Sequence, residues 1–364
     1  MRILKALVIV ALVAMMALVA GCERKIVNEV ANNDQSLNGC FSCHGETSFD
    51  GALLQAKGEW ENSFHASGLS IDYTNRPGSD CQQCHNHQGF VEYVNTGVET
   101  DPIQSTVSAI HCFTCHAPHE RGDLSLRTVE PFTLKNGVVF DHGAANLCVN
   151  CHHSRTNIAT DIAGGDTTRF IPSSRMGPHH GPQGDVLEGT HGFQFAGYTY
   201  NSSPHSDVVR EGCIGCHMGN PAQHDGYEIG GHSFNMRFES HDGTEYTLVG
   251  TCATAGCHDE TTEYGGKSSF DAWMPRDVDG DGAIEGIQTE FNDLADSLAV
   301  LLTKVINPST GLFRTNVRVT RGQQGAAYNW KIFKEDRSQG MHNPKYFEGL
   351  LKSSIEHLNA NPIP

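Results

Sequence analysis

The distribution of apolar and polar residues is clearest at the two ends of the chain. Residues 6–20 form an unbroken apolar run behind Arg2 and Lys5. The run is shorter than the roughly 20 residues of a membrane-spanning helix, and a basic start before a short apolar stretch is typical of an export signal. We therefore assign residues 1–21 to a signal peptide and expect the polar stretch 22–38 to be a tether.

Apolar residues recur every three or four positions in the final part of the chain, which predicts amphipathic helices. The first predicted helix has its apolar positions at Ile287, Phe291, Leu294, Leu298, Leu301, Leu302 and Val305. Asn307-Pro308 ends it, and a weaker helical stretch follows over residues 326–334. A third helix begins with Asn343 as N-cap and Pro344 in its first turn. Its apolar face comprises Tyr346, Phe347, Leu350, Leu351, Ile355 and Leu358.

Cysteine organises the region between these ends, residues 39–270. All twelve cysteines after Cys22 lie in pairs that are followed directly by histidine. In chain order, motifs 1 to 6 are Cys40, Cys43 and His44; Cys81, Cys84 and His85; Cys112, Cys115 and His116; Cys148, Cys151 and His152; Cys213, Cys216 and His217; and Cys252, Cys257 and His258. The first five have a two-residue spacer and the sixth has four residues.

The pattern C-x-x-C-H is the attachment signature of c-type haem, in which the thiols form thioethers and the histidine is an axial iron ligand. Zinc sites do not require a histidine after every second cysteine, and the six motifs leave no cysteine over for disulfides. The sequence therefore predicts six covalently bound haem c groups.

The overall composition agrees with a cofactor-filled interior. Only 38% of residues are hydrophobic, which is low for a globular protein and makes an ordinary aliphatic core difficult to build. We expect a mostly α and irregular fold with little or no sheet, in which haem replaces part of the core and residues 271–364 pack on it as a helical bundle. The net charge of −17 argues against nucleic acid as a partner.

Fifteen histidines remain outside the motifs, enough to supply a second axial ligand to every iron. Two histidines close an iron for electron transfer, whereas an open position permits catalysis. The candidates chosen from their local sequence are His65, His119, His179 (with His180 as its alternative), His205, His232 and His342. We assign no catalytic residue.

An acidic stretch resembles the first nine positions of an EF-hand loop, with Asp277, Asp279, Asp281 and Glu285 as candidate ligands of one Ca²⁺. Position twelve is Gln288 instead of glutamate, and Glu290 could substitute for it. The alternative is an acidic solvated turn.

Two resemblances place the chain in a cellular context. Leu18-Val19-Ala20-Gly21-Cys22 resembles the cleavage region of bacterial lipoprotein signals, which implies a lipid on Cys22. Position 23 lacks the aspartate that retains lipoproteins at the inner membrane. The resemblance therefore implies an outer-membrane anchor, at the periplasmic or extracellular face.

The haem motifs, with the segments 60–65, 81–90, 177–183, 205–218 and 230–234, resemble exported multihaem c-type cytochromes of bacteria that respire on metals or exchange electrons extracellularly. The final hundred residues, around 336–342, are similar to the helical end of pentahaem nitrite reductases and their octahaem relatives. Nearly all haems of these families carry two histidines. The catalytic haem of the nitrite reductases has lysine in place of the motif histidine, so that role is not carried over to this chain.

These features together favour an electron carrier that exchanges electrons with other redox proteins or an extracellular acceptor. Two alternatives stay open at this point. One is a reductase or oxidase of small nitrogen or sulfur species with one open haem, and the other is a subunit of a conductive filament.

Overall fold

A computed structural model describes residues 48–68, 71, 74, 81–98, 107–165, 167–209, 211–224, 227–252, 257–258, 271, 276–307 and 309–364. The predicted signal peptide, the tether and Cys22 lie outside these residues, as does the predicted boundary at residue 270. Motif 1, with Cys40, Cys43 and His44, also lies outside them. The chain divides into two units, Met1–Gln55 and Ala56–Pro364.

Helices and irregular segments dominate the described residues, as the sequence predicts. The helices are α1 Ser48–Glu61, α2 Gln82–His85, α3 His87–Thr96, α4 Cys112–Cys115, α5 Pro118–Arg121, α6 Asn146–Val149, α7 Ile158–Asp161, α8 Gln183–Leu187, α9 His205–Val208, α10 Cys213–His217, α11 Ile287–Leu301, α12 Arg321–Asp336 and α13 Pro344–Ala360. Most of them are a single turn. None of the helices in this part of the chain is both long and apolar enough to cross a membrane.

The strands are short and pair locally. They are β1 Phe132–Thr133, β2 Val139–Phe140, β3 Arg169–Phe170, β4 Ala222–His224, β5 Tyr227–Ile229, β6 Arg237–Glu239, β7 Glu245–Thr247 and β8 Arg318–Val319. Within the described ranges they form four two-stranded antiparallel ladders, β1–β2, β3–β8, β4–β5 and β6–β7. The expectation of little sheet is confirmed.

The three long helices α11, α12 and α13 pack on one another and hold most of the hydrophobic core. Phe291, Phe347 and Leu350 are fully buried there, and the rings of Phe333 and Phe347 meet edge to face at 5.1 Å. The cysteine-rich region has a much smaller apolar cluster, made of Leu134, Phe140, Ala145, Val149 and Leu187. Most of the apolar core therefore lies in the helical bundle.

Local hydrogen bonding sets where the long helices begin. Asn343 caps α13 by accepting from the backbone N–H of Tyr346, as the sequence predicts. Helix α12 is longer than the predicted stretch 326–334, because a capping box between Thr320 and Gln323 starts it earlier. Its first turns contain Gly325, where a Cβ atom would lie 2.2 Å from the ring of Phe193. The spacing of apolar residues in the sequence does not predict this close approach.

Helix α11 ends at Leu301, before the Asn307-Pro308 stop. Leu302 and Val305 are nevertheless fully buried in the turns that follow. The predicted apolar face is therefore correct, although its last residues do not lie on the helix.

Candidate haem and cation sites

Four of the five described cysteine motifs share one backbone hydrogen bond. In motifs 2, 3 and 4 the N–H of the histidine donates to the carbonyl of the first cysteine, at 3.1, 2.9 and 3.0 Å. Motif 6 makes the same bond from His258 to Cys252, at 3.1 Å, across its longer spacer. Its two extra residues therefore leave the histidine in the same relation to the first cysteine.

The thiols of these motifs differ in their exposure. None of the ten described cysteines forms a disulfide, and nine of them are partly buried. The tenth, Cys257 of motif 6, is exposed, whereas Cys252 of the same motif is partly buried. The sequence predicts the same thioether role for both thiols and does not indicate this difference.

Each of the five described motif histidines faces one further histidine at nearly the same distance. The pairs and their ring-centroid separations are His152–His65 at 6.2 Å, His85–His179 at 6.1 Å, His116–His232 at 6.3 Å, His217–His342 at 6.2 Å and His258–His205 at 6.3 Å. The five partners are all among the six distal candidates predicted from the sequence.

This spacing tests whether an iron fits between the rings. Two imidazoles on opposite sides of one metal, with metal–nitrogen bonds of about 2.0–2.1 Å and about 1.1 Å from nitrogen to ring centre, have centroids about 6.3 Å apart. The five pairs match this value. The contacts His87–His111 at 4.3 Å and His179–His180 at 4.7 Å are too short to enclose a metal.

Hydrogen bonds hold several of these rings by the nitrogen Nδ1. His116 donates to the carbonyl of Leu124 at 2.7 Å, and His217 donates to the carbonyl of Phe234 at 2.9 Å. His152 donates to the side-chain oxygen of Gln183 at 3.2 Å. Metal-bound histidines commonly donate their second ring N–H in this way, which fixes the tautomer and the ring direction. The arrangement leaves Nε2 of each ring to bind iron.

Burial keeps several of the paired rings neutral. Removal from water, as the largest cause, together with neighbouring histidines lowers the pKa of His65, His179 and His217 from 6.5 to about 4. Neutral imidazole is the form that binds a metal. His342 differs: burial alone would lower its pKa, but the Asp336 carboxylate raises it.

His119 is the remaining distal candidate. Its ring lies 5.6 Å from that of Phe113. It belongs to none of the five pairs, and His44 of motif 1 lies outside the described residues.

Several other histidines have structural partners. His180 donates to the carboxylate of Glu335 at 2.6 Å, whereas its neighbour His179 faces His85. His142 binds the carboxylate of Glu188 at 2.5 Å. His153 donates to a backbone carbonyl at 2.8 Å. What distinguishes His179 from His180 is the facing motif histidine His85, which the sequence does not indicate.

Sulfur contacts show which motifs adjoin. Cys84 lies beside Cys151, Cys148 lies beside Cys213, and Cys216 lies beside Cys252. Motifs 2, 4, 5 and 6 therefore follow one another in space. Motif 3 lies beside motif 4, because Cys115 interacts electrostatically with Cys151.

Backbone contacts reinforce this order. Gln83 of motif 2 donates to the carbonyl of Asn150 in motif 4 at 3.0 Å. Phe234, held in the left-handed region at φ 57°, packs its ring 5.2 Å from His65 while its carbonyl accepts from His217. The paired rings of motifs 4 and 5 thus share one supporting residue.

Two carboxylates that sequence reasoning missed contact the distal candidates. Asp336 Oδ1 lies 2.7 Å from Nδ1 of His342, and Glu59 Oε2 lies 3.4 Å from Nδ1 of His232. Glu59 comes from a helix distant in sequence, so no local pattern could have indicated it. Asp336 is six residues before His342, and that proximity was the only available signal.

The acidic loop brings together a different set from the one predicted. Carboxylate oxygens of Asp277, Asp279 and Glu290 lie within 4.8 Å of one another. Glu290, in the first turn of α11, accepts from the backbone N–H groups of Val278, Asp279 and Glu285. Asp281 and Glu285 are not members of this cluster.

Comparisons with known proteins agree with the motif pattern. No family model matches the chain. It is 25% identical over 193 residues to the C-type polyheme cytochrome OmcB of two strains of Geobacter sulfurreducens; the match covers 47% of this chain and 24% of OmcB. The chain therefore spans about a quarter of the length of these curated relatives.

Two solved structures also align. Outer Cell Wall Cytochrome OcwA has a TM-score of 0.44 and 19% identity, covering 82% of this chain and 49% of OcwA. An undecaheme cytochrome from the S-layer of Carboxydothermus ferrireducens has a TM-score of 0.40 and 17% identity, covering 82% of this chain and 40% of its own.

Proposed function

We propose that this chain is a hexahaem c-type cytochrome that carries electrons at the cell envelope, with every iron held by two histidines. The observation that carries the proposal is the set of five histidine pairs, each about 6.2 Å apart and each joining a motif histidine to a distal one. The similarity to a polyheme cytochrome over about half of the chain supports it.

The ligand assignments follow the pairs. His65 serves motif 4, His179 motif 2, His232 motif 3, His205 motif 6 and His342 motif 5. His119 is the sixth proposed distal ligand and is assigned to no particular motif.

The two cysteines of each motif anchor its group covalently. Cys40 and Cys43 hold the group of motif 1, and the partly buried Cys252 with the exposed Cys257 holds that of motif 6. Haem supplies reversible one-electron chemistry when bound, and two imidazole ligands favour low potentials.

The chain itself contributes the order of the sites. Contacts between motif cysteines arrange them as 2–4–5–6 with motif 3 beside motif 4. Such a series of adjoining sites suits transfer along the protein better than chemistry at one centre.

Several finer assignments complete the proposal. Residues 1–21 are a lipoprotein signal, 22–38 a tether, 39–270 the haem domain and 271–364 the calcium loop with the helical bundle. A lipid on Cys22 holds the protein at the outer membrane, where it serves anaerobic or extracellular respiration through redox partners or an extracellular acceptor.

The acidic loop belongs to the same proposal. Asp277, Asp279 and Glu290 bind one Ca²⁺, with Glu290 in the role that the twelfth residue of an EF-hand loop fills. Because Glu290 lies on α11, bound calcium would fix the loop to the helical bundle.

The decisive experiment measures haem content and spin state on the purified, fully processed protein. We expect six covalent haems per chain and six low-spin ferric centres by electron paramagnetic resonance. A high-spin ferric centre in the native protein would contradict complete bis-histidine ligation and would favour a reductase or oxidase. Fewer than six covalent haems would contradict the motif assignment.

A further inference from the structure

Asp336 stands out among the groups that contact the paired histidines. It is the last residue of α12, its side chain is fully buried, and its Oδ1 lies 2.7 Å from Nδ1 of His342. The backbone N–H and the hydroxyl of Ser338 both donate to its other oxygen, Oδ2. Every one of these contacts is a donor to the carboxylate, which suits an ionised, acceptor-only side chain.

The turn after α12 is built to hold this contact. Arg337, Gln339 and Gly340 all have positive φ, at 63°, 55° and 95°. The Ser338 hydroxyl also accepts from the backbone N–H of His342, at 3.1 Å. Two non-glycine residues in the left-handed region carry a backbone cost that the surrounding structure must offset. The segment thus holds His342 in contact with Asp336, although its left-handed backbone conformations are energetically unfavourable.

Several other paired rings have neutral or more distant partners at Nδ1. His116, His217 and His205 donate to backbone carbonyls. The contact of Glu59 with His232 also involves a carboxylate, but it is longer, at 3.4 Å.

The short contact at His342 has a chemical consequence for a bound metal. A carboxylate on the second ring nitrogen raises the basicity of a metal-bound imidazole. A more basic ligand favours the oxidised iron, and burial strengthens the effect because little solvent screens the charge.

We propose that Asp336 is a positioning residue that acts through His342 to lower the reduction potential of the haem attached at Cys213 and Cys216. The proposal rests on the bis-histidine ligation put forward above. Motif 5 adjoins motif 4 through Cys213 and motif 6 through Cys216. A haem of lowered potential would therefore lie between two others, and Asp336 would make electron transfer onto it less favourable from either side.

The test is a spectroelectrochemical titration of the six-haem protein with Asp336→Asn. Asparagine keeps the size and one acceptor oxygen but removes the charge. We expect one of the six one-electron components to move to higher potential while the other five stay in place. The matched control is Glu188→Gln, which neutralises a carboxylate on His142, a histidine outside the proposed ligands; we expect no component to move.

A second variant gives a shift of the opposite sign. Ser338→Ala removes the hydroxyl that donates a hydrogen bond to the Asp336 carboxylate. More negative charge is then left on the oxygen that faces His342, so the potential of the same haem should become lower. If the titrations of both variants superimpose on that of the wild type while all haems stay bound and low-spin, the role of Asp336 is overturned. The proposed ligation is then unaffected. Failure of the ligation itself has a separate signature, namely that His342→Ala leaves all six haems low-spin.

Discussion

Replacing His205 by alanine removes the ring that faces His258 at 6.3 Å. His205 is half-buried, and the contact it loses is one hydrogen bond of 3.3 Å from its Nδ1 to the carbonyl of His342. A neutral bond of this kind contributes about 0.5–1.5 kcal/mol net. We therefore expect the lost hydrogen bond to lower the free energy of unfolding by about 1 kcal/mol. Loss of the proposed iron–nitrogen bond adds to this cost, and one of the six distal positions opens.

Electron paramagnetic resonance of the ferric protein measures the outcome. About one-sixth of the haem should convert from low-spin to high-spin, because six motifs each hold one haem. The control is His142→Ala, which removes a half-buried histidine bound to Glu188 and should leave the low-spin signal unchanged. An unchanged signal in His205→Ala, or equal changes in the two variants, would refute the pairing of His205 with His258.

The remaining predictions concern the bundle, the cation site and pH. Leu350→Ala should lower the free energy of unfolding by about 2–5 kcal/mol, because the side chain is fully buried, whereas Val300→Ala, exposed on α11, should change it little. Calcium at a hundred times its dissociation constant should stabilise the protein by about 2.7 kcal/mol, and this gain should vanish in Asp277→Asn; thermal unfolding with calcium or a chelator measures it. Burial alone would raise the pKa of Glu335, but hydrogen bonds from His180 and a neighbouring lysine lower it from 4.5 to about 2. This carboxylate therefore stabilises the fold above pH 4.5 and loses that effect as pH falls to 2. Because solvent screens part of the interaction, Glu335→Gln should cost about 1–3 kcal/mol at neutral pH and almost nothing in strong acid, by chemical denaturation.

Local chemistry explains why much of the architecture could be predicted. A haem motif is a contiguous run, so its residue types and spacing are complete in the sequence. Helix starts such as Asn343 are local for the same reason. The spacing of apolar residues predicts which face of a helix is buried, but it does not predict where the helix begins or ends. The extension of α12 to Arg321 depended on a capping box and on the approach of Phe193, and only the first of these is written nearby in the chain.

The distal ligands show where local information runs out. Sequence context selected His65, His179, His205, His232 and His342 as candidates, and the structure sets each of them opposite one motif histidine. Which histidine meets which motif could not be derived, because at least one other haem motif lies between the two members of every pair along the chain. The exposure of Cys257 was equally out of reach, since solvent contact depends on the whole surrounding fold. The ligation itself remains a prediction.

The sequence by itself determined the chemistry available to this protein: twelve thiols in pairs, a histidine after each pair, spare histidines, an acidic loop and three amphipathic helices. Only the tertiary structure decided the pairing of rings, the order in which the motifs adjoin, the choice of Glu290 for the acidic cluster and the contact of Asp336 with His342. The physical reason is that covalent attachment needs neighbours along the chain, whereas coordination, charge and packing need neighbours in space.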